Sequence, residues 1–233
     1  MDNRTIATAI IVAAGKGRRM GSQISKQFLK LRGKEILAHT VSRFEQFSNI
    51  QEIVLVTGKD NIEDVNAMVK DYGWKKISAV VIGGKERQDS VKCGLNVLSE
   101  KTEIVLIHDG VRPFVTEDMI DRSIEAAQNY GACVLGVAAK DTIKICDEDG
   151  VVVETPKRSA LWHIQTPQTF RTEIIESAYK KATQEGFIGT DDASVAEFAG
   201  AKIKVIPGSY QNIKITTRED ILVGTCFLEE EEE

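Results

Sequence analysis

The sequence is poor in the residues that build metal and disulfide frameworks. It has four cysteines (Cys93, Cys133, Cys146 and Cys226), far apart and never as C-x-x-C, and three histidines. That distribution argues against a disulfide scaffold or a Cys/His zinc site and suits a reducing compartment. No apolar run reaches the roughly 18–20 residues of a spanning helix, so no membrane role is expected. Glycine is aperiodic and the hydrophobic share, 42%, is too high for a collagen-like or disordered chain. The apolar run 6–14 could pass for a signal-peptide core. It leads straight into Lys16, Gly17, Arg18 and Arg19 without a cleavage pattern, so it reads as a buried first strand of a cytoplasmic protein.

Charge is unevenly spread. The net charge is −5, yet residues 1–34 carry eight basic side chains against the single acid Asp2. One basic segment on an acidic protein does not suit tracking of a nucleic-acid backbone. It suits a small polyanion bound at one place. The glutamate run 229–233 reads as a solvated, frayed terminus.

Short β-branched runs alternate with amphipathic stretches. Strands are expected at 6–13, 53–57, 78–82, 104–107 and 134–137, with helices at 36–47, 62–71, 90–98 and 117–129 between them. Strands apolar on both faces and separated by helices predict a doubly wound, mostly parallel α/β sheet. The pattern breaks at Asp141. Residues 142–146 and 151–155 form a hairpin pattern around a turn at 147–150, giving an arm over about 141–160. Its apolar side needs cover, from a second subunit or from its own domain. Residues 162–168 read as a polar cluster. Helices at 172–184 and 191–198, a strand at 202–206 and a helix from Thr217 complete a single domain spanning 1–233.

The candidate chemistry lies at strand ends. Ala13, Ala14 and Gly15 open a Gly-rich turn, Gly15-Lys16-Gly17-Arg18-Arg19-Met20-Gly21, after the first strand. Such a turn lets backbone N–H groups approach phosphate oxygens. Its glycine spacing fits neither the dinucleotide fingerprint nor the P-loop, so a phosphate site competes with a basic surface turn. Nearby Lys26 favours the former. Gly83 and Gly84 precede Glu86, Arg87, Asp89 and Ser90, where Ser90 or Asp89 could cap a helix and Arg87 and Ser90 could face a ligand. Asp109 beside Gly110 suits a hard cation such as Mg²⁺, the alternative being an Asp109–Arg112 pair. Lys214, in an apolar run, is either a snorkelling edge residue or part of a cleft that demands positive charge.

Taken in order, VAAGKGRRMG, SKQF, GGKERQDSV, HDGVRP, QTPQTF, TDDAS and NIKIT together resemble the 2-C-methyl-D-erythritol 4-phosphate cytidylyltransferases of non-mevalonate isoprenoid synthesis. Ribitol 5-phosphate cytidylyltransferases and other sugar-phosphate nucleotidyltransferases are the alternative. The resemblance implies CMP transfer from CTP to a sugar-alcohol phosphate with Mg²⁺. It implies that Ala13, Ala14, Gly15, Gly83, Arg87 and Ser90 hold the nucleotide and Arg19, Lys26 and Lys214 stabilise the transition state. Asp109 would serve substrate and metal, while Thr142, Arg158, Thr166 and Thr190 hold the acceptor. It also implies a homodimer joined through the arm, with Arg158 serving the neighbour's site. A phosphate monoester has a second pKa of about 6 and needs no general base as nucleophile, which fits the lack of a His- or Cys-based catalytic pair.

Overall fold

The computed structural model describes residues 5–15 and 25–232. Among these the strands are β1 (Ala7–Ala13), β2 (Lys30–Leu31), β3 (Lys34–Glu35), β4 (Glu52–Thr57), β5 (Ile77–Ile82), β6 (Ile104–Asp109), β7 (Ala132–Ala138), β8 (Ile145–Cys146), β9 (Val152–Glu154), β10 (Trp162–Arg171) and β11 (Lys204–Pro207). The α-helices are α1 (Ile36–Gln46), α2 (Ile62–Asp71), α3 (Arg87–Leu95), α4 (Glu117–Tyr130), α5 (Thr172–Glu185), α6 (Asp192–Phe198) and α7 (Arg218–Glu232).

The main sheet runs β11-β7-β10-β6-β1-β4-β5. Its strands pair in parallel except β10, which is antiparallel to both β6 and β7. Alternation along the central strands supplies both faces. Ala9, Ile11, Ile53 and Leu55 join one apolar cluster with Leu37 and Phe44 of α1, Val65 of α2 and Ile120 of α4. Ile10, Val54 and Val56 join the other with Val91 and Leu95 of α3, Ile175 and Tyr179 of α5 and Val195 of α6. A period of two with both sets apolar demands helical cover on two sides, the expected doubly wound arrangement. Helix ends follow local chemistry: Thr116 Oγ1 accepts from Met119 N at 3.4 Å to start α4. Between β2 and β3, Arg32 at φ 49° and Gly33 at φ 81° make the two-residue turn of a small hairpin absent from the sequence reading.

The sequence reading is corrected in further places. Residues 162–168, read from sequence only as a polar cluster, form the body of β10, inserted between β6 and β7. The glutamate run continues α7 as far as Glu232. The hairpin is present as β8–β9, paired with itself outside the main sheet. Its residues Ile145, Val151, Val152 and Val153 are 46–62% exposed, so it does not fold back onto its own domain. A third apolar cluster under α7, built on Leu31, Ile36, Val111, Phe114 and Ile215, packs the β2–β3 hairpin against the chain on either side of the site described next.

Candidate active site

The strand order changes direction at β1: β4 and β5 follow on one side, β6 on the other. Ligands of open α/β sheets bind beyond the carboxyl ends of strands at such a switch point. A pocket of about 170 Å³ lies there, lined by Ala13 at the end of β1, Ala14 and Gly15 after it, Gly84 after β5, Arg87 and Ser90 in the first turn of α3, Asp109 at the end of β6, and Lys26 and Lys214. A larger hollow of about 460 Å³ lies between α3 and α5, lined by Leu95, Leu98, Tyr179 and Lys180 among others, and gathers no strand-end residue. The smaller pocket is therefore the candidate site, because charge converges on it.

Local structure explains the convergence. Gln27, 2% exposed, donates from Nε2 to Ala13 O at 2.8 Å and ties the Lys26 turn to the end of β1. On the other side, Arg112 Nη1 donates to Asn212 O at 2.8 Å and Ile215 N to Val111 O at 2.9 Å. Asn212 Nδ2 donates to Thr166 O at 3.0 Å. These bonds bracket Lys214, whose position in an apolar run is that of a cleft lysine.

Asp109 is the electrostatic centre. Lys214 Nζ lies 2.8 Å from Oδ2, Arg112 Nε 3.5 Å from Oδ2, and Arg87 Nε 3.5 Å from Oδ1. Burial alone would raise its pKa, but Lys214, Arg87 and Arg112 outweigh it and hold the carboxyl well below the usual carboxylate range. Asp109 makes the pair with Arg112 and also lines the pocket. Beneath it His108, fully buried, has its pKa pushed down to about 4, chiefly by desolvation. His108 Nε2 lies 3.0 Å from the Arg112 carbonyl and so carries the hydrogen, leaving Nδ1 to accept from Thr166 Oγ1 at 3.1 Å. Thr166 Oγ1 in turn accepts from Asp109 N at 3.1 Å. The chain fixes the backbone that carries Asp109.

Other candidates fall differently. Gly83 does not line the pocket. It stands behind it, where a Cβ would come 2.6 Å from Ser90 Oγ and 2.7 Å from Ala14 Cβ, and Gly84 takes the wall position. Of the two cap candidates, Asp89 takes part, in a reciprocal capping box with Glu86, and Ser90 does not. The N-cap is Glu86, whose N–H donates to Asp89 Oδ2 at 3.1 Å, while Ser90 Oγ donates to Glu86 O at 3.0 Å. Thr166 is buried beneath Asp109, and Thr190 is exposed just before α6. Thr142 and Arg158 are exposed and do not line the pocket; Arg158 Nη1 donates to Lys140 O at 3.1 Å at the base of the arm. Arg19 lies outside the described residues. Gln27, His108 and Asn212, missed from sequence, were legible only as polar residues in apolar surroundings.

The family model for 2-C-methyl-D-erythritol 4-phosphate cytidylyltransferase matches residues 7–230. The chain belongs to this cytidylyltransferase family. It is 50% identical over 222 residues to the 2-C-methyl-D-erythritol 4-phosphate cytidylyltransferase of Alkaliphilus metalliredigens strain QYMF, covering 95% of this chain and 92% of that one. The crystal structure of 4-diphosphocytidyl-2C-methyl-D-erythritol synthase from Anaerococcus prevotii DSM 20548 aligns with a TM-score of 0.86 at 36% identity, over 97% of each chain. The 2-C-methyl-D-erythritol 4-phosphate cytidylyltransferase from Thermus thermophilus aligns with a TM-score of 0.77 at 28% identity, over 97% of this chain and 100% of that one. As a cytidylyltransferase the protein needs a polyphosphate site, and the cationic strand-end pocket has that character.

Proposed function

We propose that the protein transfers CMP from CTP to 2-C-methyl-D-erythritol 4-phosphate, releasing pyrophosphate, in isoprenoid precursor synthesis. The observation that carries this reading is the meeting of Lys26, Arg87, Lys214 and Asp109 around the Ala13–Gly15 turn at the sheet's switch point. A phosphate oxygen of the acceptor forms a bond to the α-phosphorus of CTP while the bond to the β-phosphate oxygen breaks. The nucleophile is already ionised at neutral pH, so no proton has to move. The barrier is the approach of anions, which fixed cations lower. Lys26 and Lys214, with Arg19, serve the α-phosphate and the leaving group. Ala13, Ala14, Gly15, Arg87 and Ser90 hold the nucleotide, with Gly83 supporting that wall from behind.

The residues fit Mg²⁺. Asp109 is held ionised at the pocket wall, and Arg87 approaches its Oδ1 no closer than 3.5 Å. Among the described residues no group of three or more His, Cys, Asp or Glu side chains forms an all-protein cage. A single carboxylate completed by substrate phosphates is the arrangement Mg²⁺ commonly takes. Bound by Asp109, it would neutralise charge on the triphosphate.

The acceptor is held by Asp109, Thr142, Arg158 and Thr190, with Thr166 fixing the Asp109 backbone from beneath and Arg158 supplied across a homodimer joined by the β8–β9 arms. The exposed apolar residues of the arm support that assembly. A cytoplasmic location belongs to the same proposal, supported by four free cysteines. Among the described residues no helix is long and apolar enough to cross a membrane. Pyrophosphate release with CTP and Mg²⁺ tests the reading: methylerythritol 4-phosphate is expected to be strongly preferred over ribitol 5-phosphate. The reverse preference would keep the reaction and overturn the acceptor.

A further inference from the structure

We propose that Asp192, braced by Tyr179, is the positioning residue that sets Arg87 in the nucleotide pocket; this rests on the proposed reading of that pocket as a CTP site. Asp192 opens α6 and is 0% exposed. Its Oδ2 accepts from Arg87 Nη2 at 2.8 Å and its Oδ1 from the Tyr179 hydroxyl at 2.6 Å. The segment around it is fixed by Gln168 of β10, whose Nε2 donates to Asp191 Oδ2 and whose Oε1 accepts from Ala193 N, both at 2.8 Å. Ser194 N donates to Asp191 Oδ1 at 2.8 Å, which caps the helix. The carboxylate is thus desolvated, oriented and immobile.

Arg87 is held between two acids at unequal distance. It grips Asp192 at 2.8 Å and meets Asp109 at 3.5 Å. A buried ion pair contributes little to stability compared with well-packed apolar groups, so its presence here calls for another reason. Arginine is long and flexible, and its planar fork favours a bidentate carboxylate. Without Asp192 the guanidinium would close onto Asp109, removing itself from the nucleotide and occupying an oxygen that the triphosphate and its cation need. Asp192 therefore competes with Asp109 for Arg87 and keeps both groups available to the ligand. Tyr179, 3% exposed within the α5 face of the core, commits its hydroxyl to Oδ1 and leaves Oδ2 to Arg87.

The test measures CTP affinity by calorimetry without acceptor, and melting temperature, for wild type, Asp192→Asn, Tyr179→Phe, Arg87→Met and the Arg87→Met/Asp192→Asn pair. Asp192→Asn keeps the shape and removes the charge; it is expected to weaken CTP binding about tenfold. Tyr179→Phe keeps the ring and is expected to weaken binding about threefold. With Arg87→Met as background, Asp192→Asn should change affinity no further and should raise the melting temperature, because it removes a buried carboxylate left without its cation. Wild-type affinity in Asp192→Asn, or the same loss with and without Arg87, would overturn the proposal. If Asp192→Asn does not fold, unchanged affinity in Tyr179→Phe would overturn it. Wild-type protein that binds no CTP would instead sink the reading of the pocket, and this proposal with it.

Discussion

Lys214 Nζ stands 2.8 Å from Asp109 Oδ2, the closest of three cations around that buried carboxylate. The pair joins a residue at the end of β6 to one far along the chain, and it is the contact a triphosphate would reorganise. Lys214→Met is expected to lower kcat by about 10²–10³-fold, the usual cost of one preorganised group that stabilises transition-state charge. Loss of this cation also lets the Asp109 pKa rise, so the acid limb of the rate profile should move to higher pH. Steady-state pyrophosphate release across pH checks both; an unmoved acid limb would show that Asp109 titration does not govern the rate.

Acid stability should follow His108 and then Asp109. His108 is neutral in the fold, with its pKa pushed down to about 4 by burial. Unfolded, it titrates near 6.5, so between about pH 6.5 and 4 the unfolded state binds the extra proton and stability falls as pH falls, by at most about 1.4 kcal/mol per pH unit. The depressed Asp109 adds stability that is present above its unfolded value near 3.9 and is lost below it. Urea midpoints at pH 7.5, 6.0 and 4.5 should fall stepwise for wild type. His108→Gln should start lower, because the buried bonds to Thr166 and Arg112 are altered, but fall less over that range. Parallel slopes would show that other groups control the acid limb.

The parallel framework was readable because its strands are apolar on both faces and its helices are amphipathic. The sequence pattern missed β10 for a physical reason. Gln165, Thr166, Gln168 and Thr169 are polar yet buried, so the strand breaks the rule that polar residues face water. Their partners are distant in sequence: Ser209 for Gln165, His108 for Thr166, Asp191 for Gln168. No local window contains that information. Asp192 was hidden likewise, as an acid at a helix start that reads as solvated until Arg87 and Tyr179 are seen closing over it. The Gly-rich turn and the Asp109 strand end stood out because each puts polar or charged residues where an apolar pattern stops, and Lys214 because it interrupts one.

Two glycines at the site should separate packing from binding. A Cβ at Gly83 would lie 2.7 Å from Ala14 Cβ and 2.6 Å from Ser90 Oγ, both on the pocket wall. Gly83→Ala should therefore cost about 1–3 kcal/mol and also weaken CTP binding. Among the described residues a Cβ at Gly15 meets nothing within 4 Å. Gly15→Ala should leave the melting temperature unchanged yet raise KM for CTP, because the methyl group occupies space the phosphates approach. Thermal melts alongside CTP titrations distinguish the two; a destabilised Gly15→Ala would contradict the open space beside it.

The arm makes a prediction about where an intact site comes from. Val151, Val152 and Val153 are 50–62% exposed on a hairpin that pairs only with itself among the described residues. If the arms join two subunits and Arg158 serves the partner's pocket, each site draws Lys214 from one chain and Arg158 from the other. Lys214→Met and Arg158→Met homodimers would each be nearly inactive. In a heterodimer of the two, one site carries both lesions and the other carries neither. Unfolding and refolding an equal mixture should then restore about a quarter of wild-type activity, since about half the dimers are mixed and each has one good site. Light scattering should show a dimer for wild type and monomers for Val151→Lys/Val153→Lys. A dimeric mixture that regains no activity would mean that Arg158 works within its own chain.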